Sequence, residues 1–194
     1  TTDQGTALAA RTNIGSANYI LKRDPLGRWG TMGQSGTTFQ GVSATGGVVD
    51  IMMVGGTVFA CGSWGTAGGT KAPNIAMYFP QSNAWGTLGP GTMVSAGPMQ
   101  QMAYSPWGSL YVGGFLQTTA GTNTRLVAQW SAGGWGSLPG GTIGTSGASQ
   151  LQTMLFNAGT LFLAGVGMNS FGGTAGTAIG FWSRGVWGTL TGGT

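Results

Sequence analysis

Histidine and glutamate are absent from this chain, and its only acids are Asp3, Asp24 and Asp50. No side-chain carboxylate occurs beyond residue 50. General acid–base catalysis needs a titratable group poised near the working pH, and paired-carboxylate mechanisms need two that converge. Neither set exists here. A hydrolase triad lacks its base, a zinc site lacks its ligands, and a calcium site would have to draw on backbone and Asn oxygens. The sequence therefore reads as a non-enzyme, with no cofactor and no metal expected.

Charge of either sign is scarce, at 5% of residues, and the seven basic residues give a net charge of +4. Phosphate binding relies on a dense basic stripe. Here Lys22, Arg23 and Arg28 surround one turn with Asp24, while Lys71, Arg125 and Arg184 are scattered, so a nucleic-acid partner is not expected. Isolated domains usually carry about a quarter charged residues, and so low a charge suits a surface covered in a large assembly. No apolar run approaches the length of a membrane span, so no membrane insertion is expected, and the N-terminus lacks the basic-then-apolar order of a signal peptide.

Glycine, by contrast, is abundant: 41 residues, together with 8 Trp and 8 Phe that fall in register. A tetrapeptide returns four times, as Trp29-Gly30-Thr31-Met32, Trp85-Gly86-Thr87-Leu88, Trp135-Gly136-Ser137-Leu138 and Trp187-Gly188-Thr189-Leu190. Its copies stand 56, 50 and 52 residues apart. Three other elements recur at matching offsets. Apolar strand pairs run Val48 to Val54 then Val58 to Cys61, Met99 to Tyr104 then Leu110 to Gly113, and Leu151 to Phe156 then Leu161 to Gly165. Each reads as a β-hairpin. A Gly/Thr/Ala loop follows, at 66–70, 119–122 and 171–174, and then a short strand: Asn18 to Lys22, Asn74 to Tyr78, Leu126 to Trp130 and Ala178 to Trp182.

Four short strands per period predict an all-β fold, a β-propeller-like array of four-stranded blades with a period of about 52 residues. The repeat domain covers 17–194, with repeats at about 17–72, 73–124, 125–177 and a partial 178–194, preceded by an N-terminal attachment, assembly or closing segment at 1–16. That segment has two competing uses. Asp3 can cap a short helix through Gln4 to Arg11 closed by Gly15, or Thr6 to Ala10 with Asn13 to Ser16 can supply strands that complete the last blade. An array that does not close leaves strand edges for partner chains. Cys61 stands alone, so no disulfide forms within the chain, and its repeat position matches Val112 and Ala164, which predicts a buried packing residue.

Gln4 followed by Ala10-Arg11-Thr12-Asn13-Ile14-Gly15 resembles a stretch common in bacteriophage tail-fibre proteins, where it lies near junctions between fibre segments. Leu110-Tyr111-Val112-Gly113-Gly114-Phe115, Ala120-Gly121-Thr122, Val127-Ala128-Gln129-Trp130 and Trp135-Gly136-Ser137-Leu138 resemble the kelch-like repeats of bacterial surface proteins and of phage and large-virus structural proteins. The resemblances imply a propeller, a virion location, other virion proteins as partners, and a homo-oligomer with three-fold symmetry expected. Arg11, Asn13, Ile14, Arg23, Asp24 and Arg28 are the assembly candidates.

Repetition at equivalent sites is what a shared core demands, so Trp29, Trp85, Trp135 and Trp187 are expected to pack rather than to bind. Trp107 has no counterpart in the other hairpin turns; it and, behind it, Trp64 and Phe115 are the candidates for contact with a partner or a cell-surface glycan. The expected function is a non-enzymatic virion appendage or capsid-associated protein that attaches to a host surface. The alternative is a carbohydrate-binding or adhesive propeller of a bacterial cell surface, extracellular and without a virus.

Overall fold

The computed structural model describes residues 7–14, 17–33, 40–42, 47–89, 93–118, 126–131, 134–140, 143–176 and 178–190. Among them there is no helix: the chain is all-β, built mainly of antiparallel sheets. It divides into two compact units, Thr1–Leu88 and Gly89–Thr194.

Three sheets share one plan, four strands laid side by side in chain order. In the first unit this sheet comprises Gly47–Val54, Thr57–Ser63, Ile75–Phe79 and Ala84–Gly86. In the second unit one such sheet comprises Met93–Tyr104, Leu110–Thr118, Leu126–Ser131 and Gly134–Ser137. The other comprises Ile143–Asn157, Thr160–Phe171, Ile179–Ser183 and Val186–Thr189. Each of the three expected hairpins is present, and each is followed by the expected short strand and the Trp-Gly strand. Cut at its sheets, the repeat begins with the hairpin, so the last sheet is complete within 143–189.

The short sheet is the first one: Ala7–Ile14, Ala17–Arg23 and Trp29–Thr31, with Gln40–Gly41 pairing in parallel against Ala17 and Asn18. Here the structure corrects the helix reading of the N-terminal segment. Residues 7–11 are strand and not helix, with Ala7 pairing with Arg23 and Ile14 with Ala17. An Ala/Leu/Arg stretch has ample helix propensity, but a ladder with the neighbouring strand outweighs what a lone short helix gains. Asp3, Gln4, Gly15 and the loop at 119–122 lie outside the described residues.

The three hairpins share one register shift at an equivalent place, and the second and third carry further shifts nearer their open ends. The first strand carries a bulge, an extra residue at Val49, Gln100 or Gln152, where the register shifts. Beside it on the second strand stands a glycine, Gly62, Gly113 or Gly165. A Cβ on Gly165 would run into the Gln150 carbonyl oxygen and lie 3.0 Å from Leu151 Cα; one on Gly62 would meet the Gly47 carbonyl and lie 2.8 Å from the Trp64 ring. These glycines are needed for close approach, not for an unusual φ. The same backbone also receives the third strand, whose entry is left-handed in all three sheets: Asn74 at φ 63°, Leu126 at 84° and Ala178 at 66°. Gly62 N–H donates to the Asn74 carbonyl at 3.0 Å and Gly165 N–H to that of Ala178 at 2.9 Å. Asn tolerates this conformation, whereas at Leu126 the strain, on the order of 1 kcal/mol or more, is held by the surrounding ladder.

The two cores are separate clusters. Val48, Val58, Ala60, Trp64, Tyr78 and Trp85 anchor the first unit's; Leu151, Leu161, Leu163, Met168, Phe171 and Trp187 anchor the second's. The repeated Trp pairs across strands with the last bulky residue of the preceding strand: Trp85 with Tyr78, Trp135 with Trp130, Trp187 with Trp182. Trp85 is buried against Gly68 and its Nε1–H donates to the Met32 carbonyl at 2.7 Å, tying two successive sheets together. Trp187 is buried against Gly172 in the same way. Trp29 differs from expectation: it is 53% exposed. At the fourth position of the tetrapeptide Met32, Leu88 and Leu138 are buried, while Leu190 is 52% exposed.

Gly165→Ala is expected to lower the unfolding free energy by about 1–3 kcal/mol, as overpacking against rigid backbone does. Gly136→Ala, where a Cβ meets nothing within 4 Å, changes it by less than about 0.5 kcal/mol. Urea unfolding followed by Trp fluorescence measures both, and equal stability of the two variants would refute the close-approach account.

Candidate functional site

In an antiparallel meander the first-to-second and third-to-fourth turns fall at the same end of the sheet. Two of these turns have the same construction. In Asp24-Pro25-Leu26-Gly27-Arg28, Asp24 N–H donates to the Arg28 carbonyl and Gly27 N–H to the Asp24 carbonyl, both at 2.9 Å. In Ser105-Pro106-Trp107-Gly108-Ser109, Ser105 N–H donates to the Ser109 carbonyl at 2.8 Å and Gly108 N–H to the Ser105 carbonyl at 3.1 Å. Proline presets φ at the second position, and the glycine takes the left-handed fourth, at 82° and 89°. The leading side chain locks each turn: Asp24 Oδ1 accepts from Arg28 N–H at 2.9 Å, and the buried Ser105 Oγ accepts from Ser109 N–H at 3.1 Å. The third residue points outward. Leu26 is 77% exposed and Trp107 72%.

Trp107 is nevertheless fixed. Its ring meets Phe156 edge-on, with centroids 5.6 Å apart at 89°, and its rim lies against Gly159. Phe156 in turn stacks on Tyr111 at 5.4 Å and 9°, and Tyr111 lies 6.1 Å from Trp182. Trp182 Nε1–H donates to the Pro139 carbonyl at 3.0 Å. The four rings form one strip across the turn ends of two sheets of the second unit. Neutral polar groups flank it: Gln129 Nε2 donates to Ser109 Oγ at 2.9 Å, and Thr160 Oγ1 to Ser183 Oγ at 3.3 Å. Burial pushes the Tyr111 phenol above its ordinary value, with a Ser109 hydrogen bond pulling it partly back, so the strip is uncharged at neutral pH. An exposed indole on a rigid base, among hydroxyl and amide groups, suits stacking on a sugar ring or on a partner's apolar side chain.

The turn end of the first unit is polar instead. Asn83, at φ 50°, donates from Nδ2 to the Gly33 carbonyl at 2.5 Å and accepts Gly33 N–H on Oδ1 at 3.3 Å, imitating a ladder pair. Lys22 Nζ donates to Tyr78 Oη at 3.0 Å and to Asn83 Oδ1 at 3.2 Å, and sits 5.6 Å from the centre of the Tyr78 ring. Asp24 and Arg28 form an ion pair at 2.7 Å. The Arg28 backbone N–H and then its guanidinium hold the Asp24 carboxyl below the usual range. That contribution is present above the ordinary carboxylate pKa and is lost as pH falls through the lowered value, and its exposure keeps it small.

Of the other sequence candidates, Trp64 lies buried in the core of the first unit, where it offers no ring face to a partner. Its backbone is clamped by Asn74, whose Oδ1 accepts Trp64 N–H at 2.9 Å. Phe115 lies on the strand Leu110–Thr118, just past the Gly114–Leu126 pair that ends the ladder with the third strand. Arg11 falls in the register irregularity between Ala10 and Asn13, and Asn13 and Ile14 pair with Asn18 and Ala17. Arg23 lies at the mouth of the first turn with Nε donating to the Gly27 carbonyl at 3.1 Å. Sequence reasoning missed Leu26, though Asp-Pro-x-Gly was the signal, and Phe156, which nothing local marks. Among the described residues no three His, Cys, Asp or Glu side chains gather to hold a metal.

Cys61 is fully buried, and desolvation with the Asp50 charge raises its thiol well above the ordinary range. In the folded protein it is expected to resist iodoacetamide at pH 8 and to react completely once unfolded, as read by mass spectrometry. Trp107→Ala is expected to cost roughly 0.5–1.5 kcal/mol, the worth of one aromatic pair, and to leave the fold intact by circular dichroism. No protein-family model and no curated protein matches the chain, so its function is argued from the geometry of these two turn ends.

Proposed function

We propose that this protein is a non-enzymatic virion structural and attachment module, its sheets stacked as successive blades of a propeller-like array, and that the aromatic strip headed by Trp107 docks a cell-surface glycan. The observation that carries the reading is Trp107 itself: a large ring 72% exposed yet locked by a turn and an edge-on partner. Such a ring gains contact without losing conformational entropy on binding. Neutral hydroxyl and amide neighbours support a sugar ligand over a charged one. The kelch-like repeats and the tail-fibre-like N-terminal stretch support the virion setting.

Self-association belongs to the same proposal. Trp85 and Trp187 are covered, as are Met32, Leu88 and Leu138 at the fourth position of the tetrapeptide, but Trp29 and Leu190 stand open. A second copy that brings its Leu190 onto Trp29 continues the packing that Trp85 makes over Met32, head to tail, and rings formed this way are closed homo-oligomers. Three copies is the expectation carried by the fibre resemblance.

Binding of the full chain to an array of neutral glycans is expected, with Trp107→Ala weakening the best ligand at least about tenfold, a typical hot-spot loss. Unchanged binding in that variant would remove Trp107 from the site. Light scattering is expected to give a mass above one chain that falls to one chain in Leu190→Asp; a single-chain mass in the parent would overturn self-association.

A further inference from the structure

The turn end of the first unit holds an open cleft of 210 Å³ whose wall includes Lys22, Arg23, Pro25, Met32, Tyr78 and Pro80. We infer that this cleft is a binding site for the carboxylate of an acidic sugar, a uronic-acid-type ring. The inference rests on the glycan reading above and assigns it a second, charged subsite on other residues.

The charge balance comes first. Lys22 donates only to neutral oxygens, Tyr78 Oη and Asn83 Oδ1, and no carboxylate pairs with it among the described residues. One of its three N–H groups is left over. Arg23 spends Nε on the Gly27 carbonyl, which fixes its guanidinium and leaves both terminal NH₂ groups to a ligand. Asp24 also lines the cleft, but Arg28 answers its charge, with the backbone N–H on Oδ1 and Nε on Oδ2. Two positive charges therefore face one small cleft without a counter-charge. Both cations are held in place before any ligand arrives, so binding loses little side-chain entropy.

The rest of the wall selects the ligand's body. Pro25, Pro80, Met32 and the Tyr78 ring are apolar surfaces. Drug-sized ligands occupy about 300–1,000 Å³, so this cleft takes a single ring and not an oligosaccharide. A sugar ring has a C–H face to lay on proline and tyrosine, and a uronic acid adds the carboxylate that Lys22 and Arg23 lack.

The test uses the full-length protein and NMR titration of backbone amides with D-glucuronate, D-glucose and acetate at constant ionic strength. Glucuronate is expected to give saturable shifts confined to residues 22–28 and 78–83, with glucose silent there and acetate at least about tenfold weaker. Arg23→Gln, an exposed change that leaves the Lys22 network intact, and Lys22→Gln are each expected to weaken glucuronate about tenfold, the worth of one hydrogen bond to a charged group. Trp107→Ala is expected to leave it unchanged. Acetate binding as well as glucuronate would reduce the cleft to a general anion attractor and overturn the sugar assignment. So would undiminished glucuronate binding in Arg23→Gln, or the absence of any shift. A protein that binds neutral glycans through Trp107 but never glucuronate loses this inference and keeps the reading above. One that binds glucuronate with no Trp107-dependent ligand keeps the cleft and loses the aromatic site, and one that binds no sugar loses both.

Discussion

Backbone meets backbone without an intervening side chain at Gly62 and Gly165, and much of the remaining architecture is arranged around that contact. A bulge on the first strand bends each hairpin, the glycine lets the bent strand come close, and a left-handed residue admits the third strand beside it. A side chain on either glycine would push apart the two strands of its hairpin. With so few charges, packing and backbone hydrogen bonds carry most of the cohesion, helped by polar contacts such as the Lys22–Tyr78–Asn83 cluster between the first two sheets. One side-chain bond does cross between neighbouring sheets beside the bulges: Gln100 Oε1 accepts Leu151 N–H at 3.1 Å.

The Trp-Gly strands extend the same economy. Trp85 both fills the core and ties its sheet to the previous one through a single N–H, and the glycines that follow Trp85 and Trp187 leave room for an aromatic from the neighbouring strand. Phe79 lies over Gly86 and Phe181 over Gly188. A narrow four-stranded sheet cannot bury two faces alone, and within the first unit Trp85 reaches across to the preceding sheet. The turn ends differ more than the sheets beneath them do. One unit has an aromatic strip there and the other a pair of cations, although the two are built on the same sheet plan.

Much of this was legible in the sequence, because alternation of apolar residues between glycine-bearing turns marks a hairpin directly: 48–61, 99–113 and 151–165 fold as the pattern indicates, while the strands run on beyond those bounds. The N-terminal strand was not legible, since Ala-Leu-Ala-Ala-Arg favours a helix locally and only its partner at 17–23 makes it a strand. Leu126 gives no sign of its left-handed conformation, which is imposed by the ladder on both sides. Trp107 stood out because it broke the repeat, whereas its support, Phe156, comes from the next sheet and looks like any core residue. The Lys22–Tyr78–Asn83 cluster joins residues more than fifty positions apart, a distance at which a single sequence carries no signal.

The Pro-x-Gly turn that carries Leu26 in one unit and Trp107 in the other is closed by two backbone hydrogen bonds and by its leading side chain, none of which uses the side chain at its tip. It is a socket. What it presents can change by one codon, from aliphatic to aromatic to polar, while the sheet beneath is untouched. A surface under pressure to meet new partners can therefore vary where it matters for recognition and stay constant where it matters for folding.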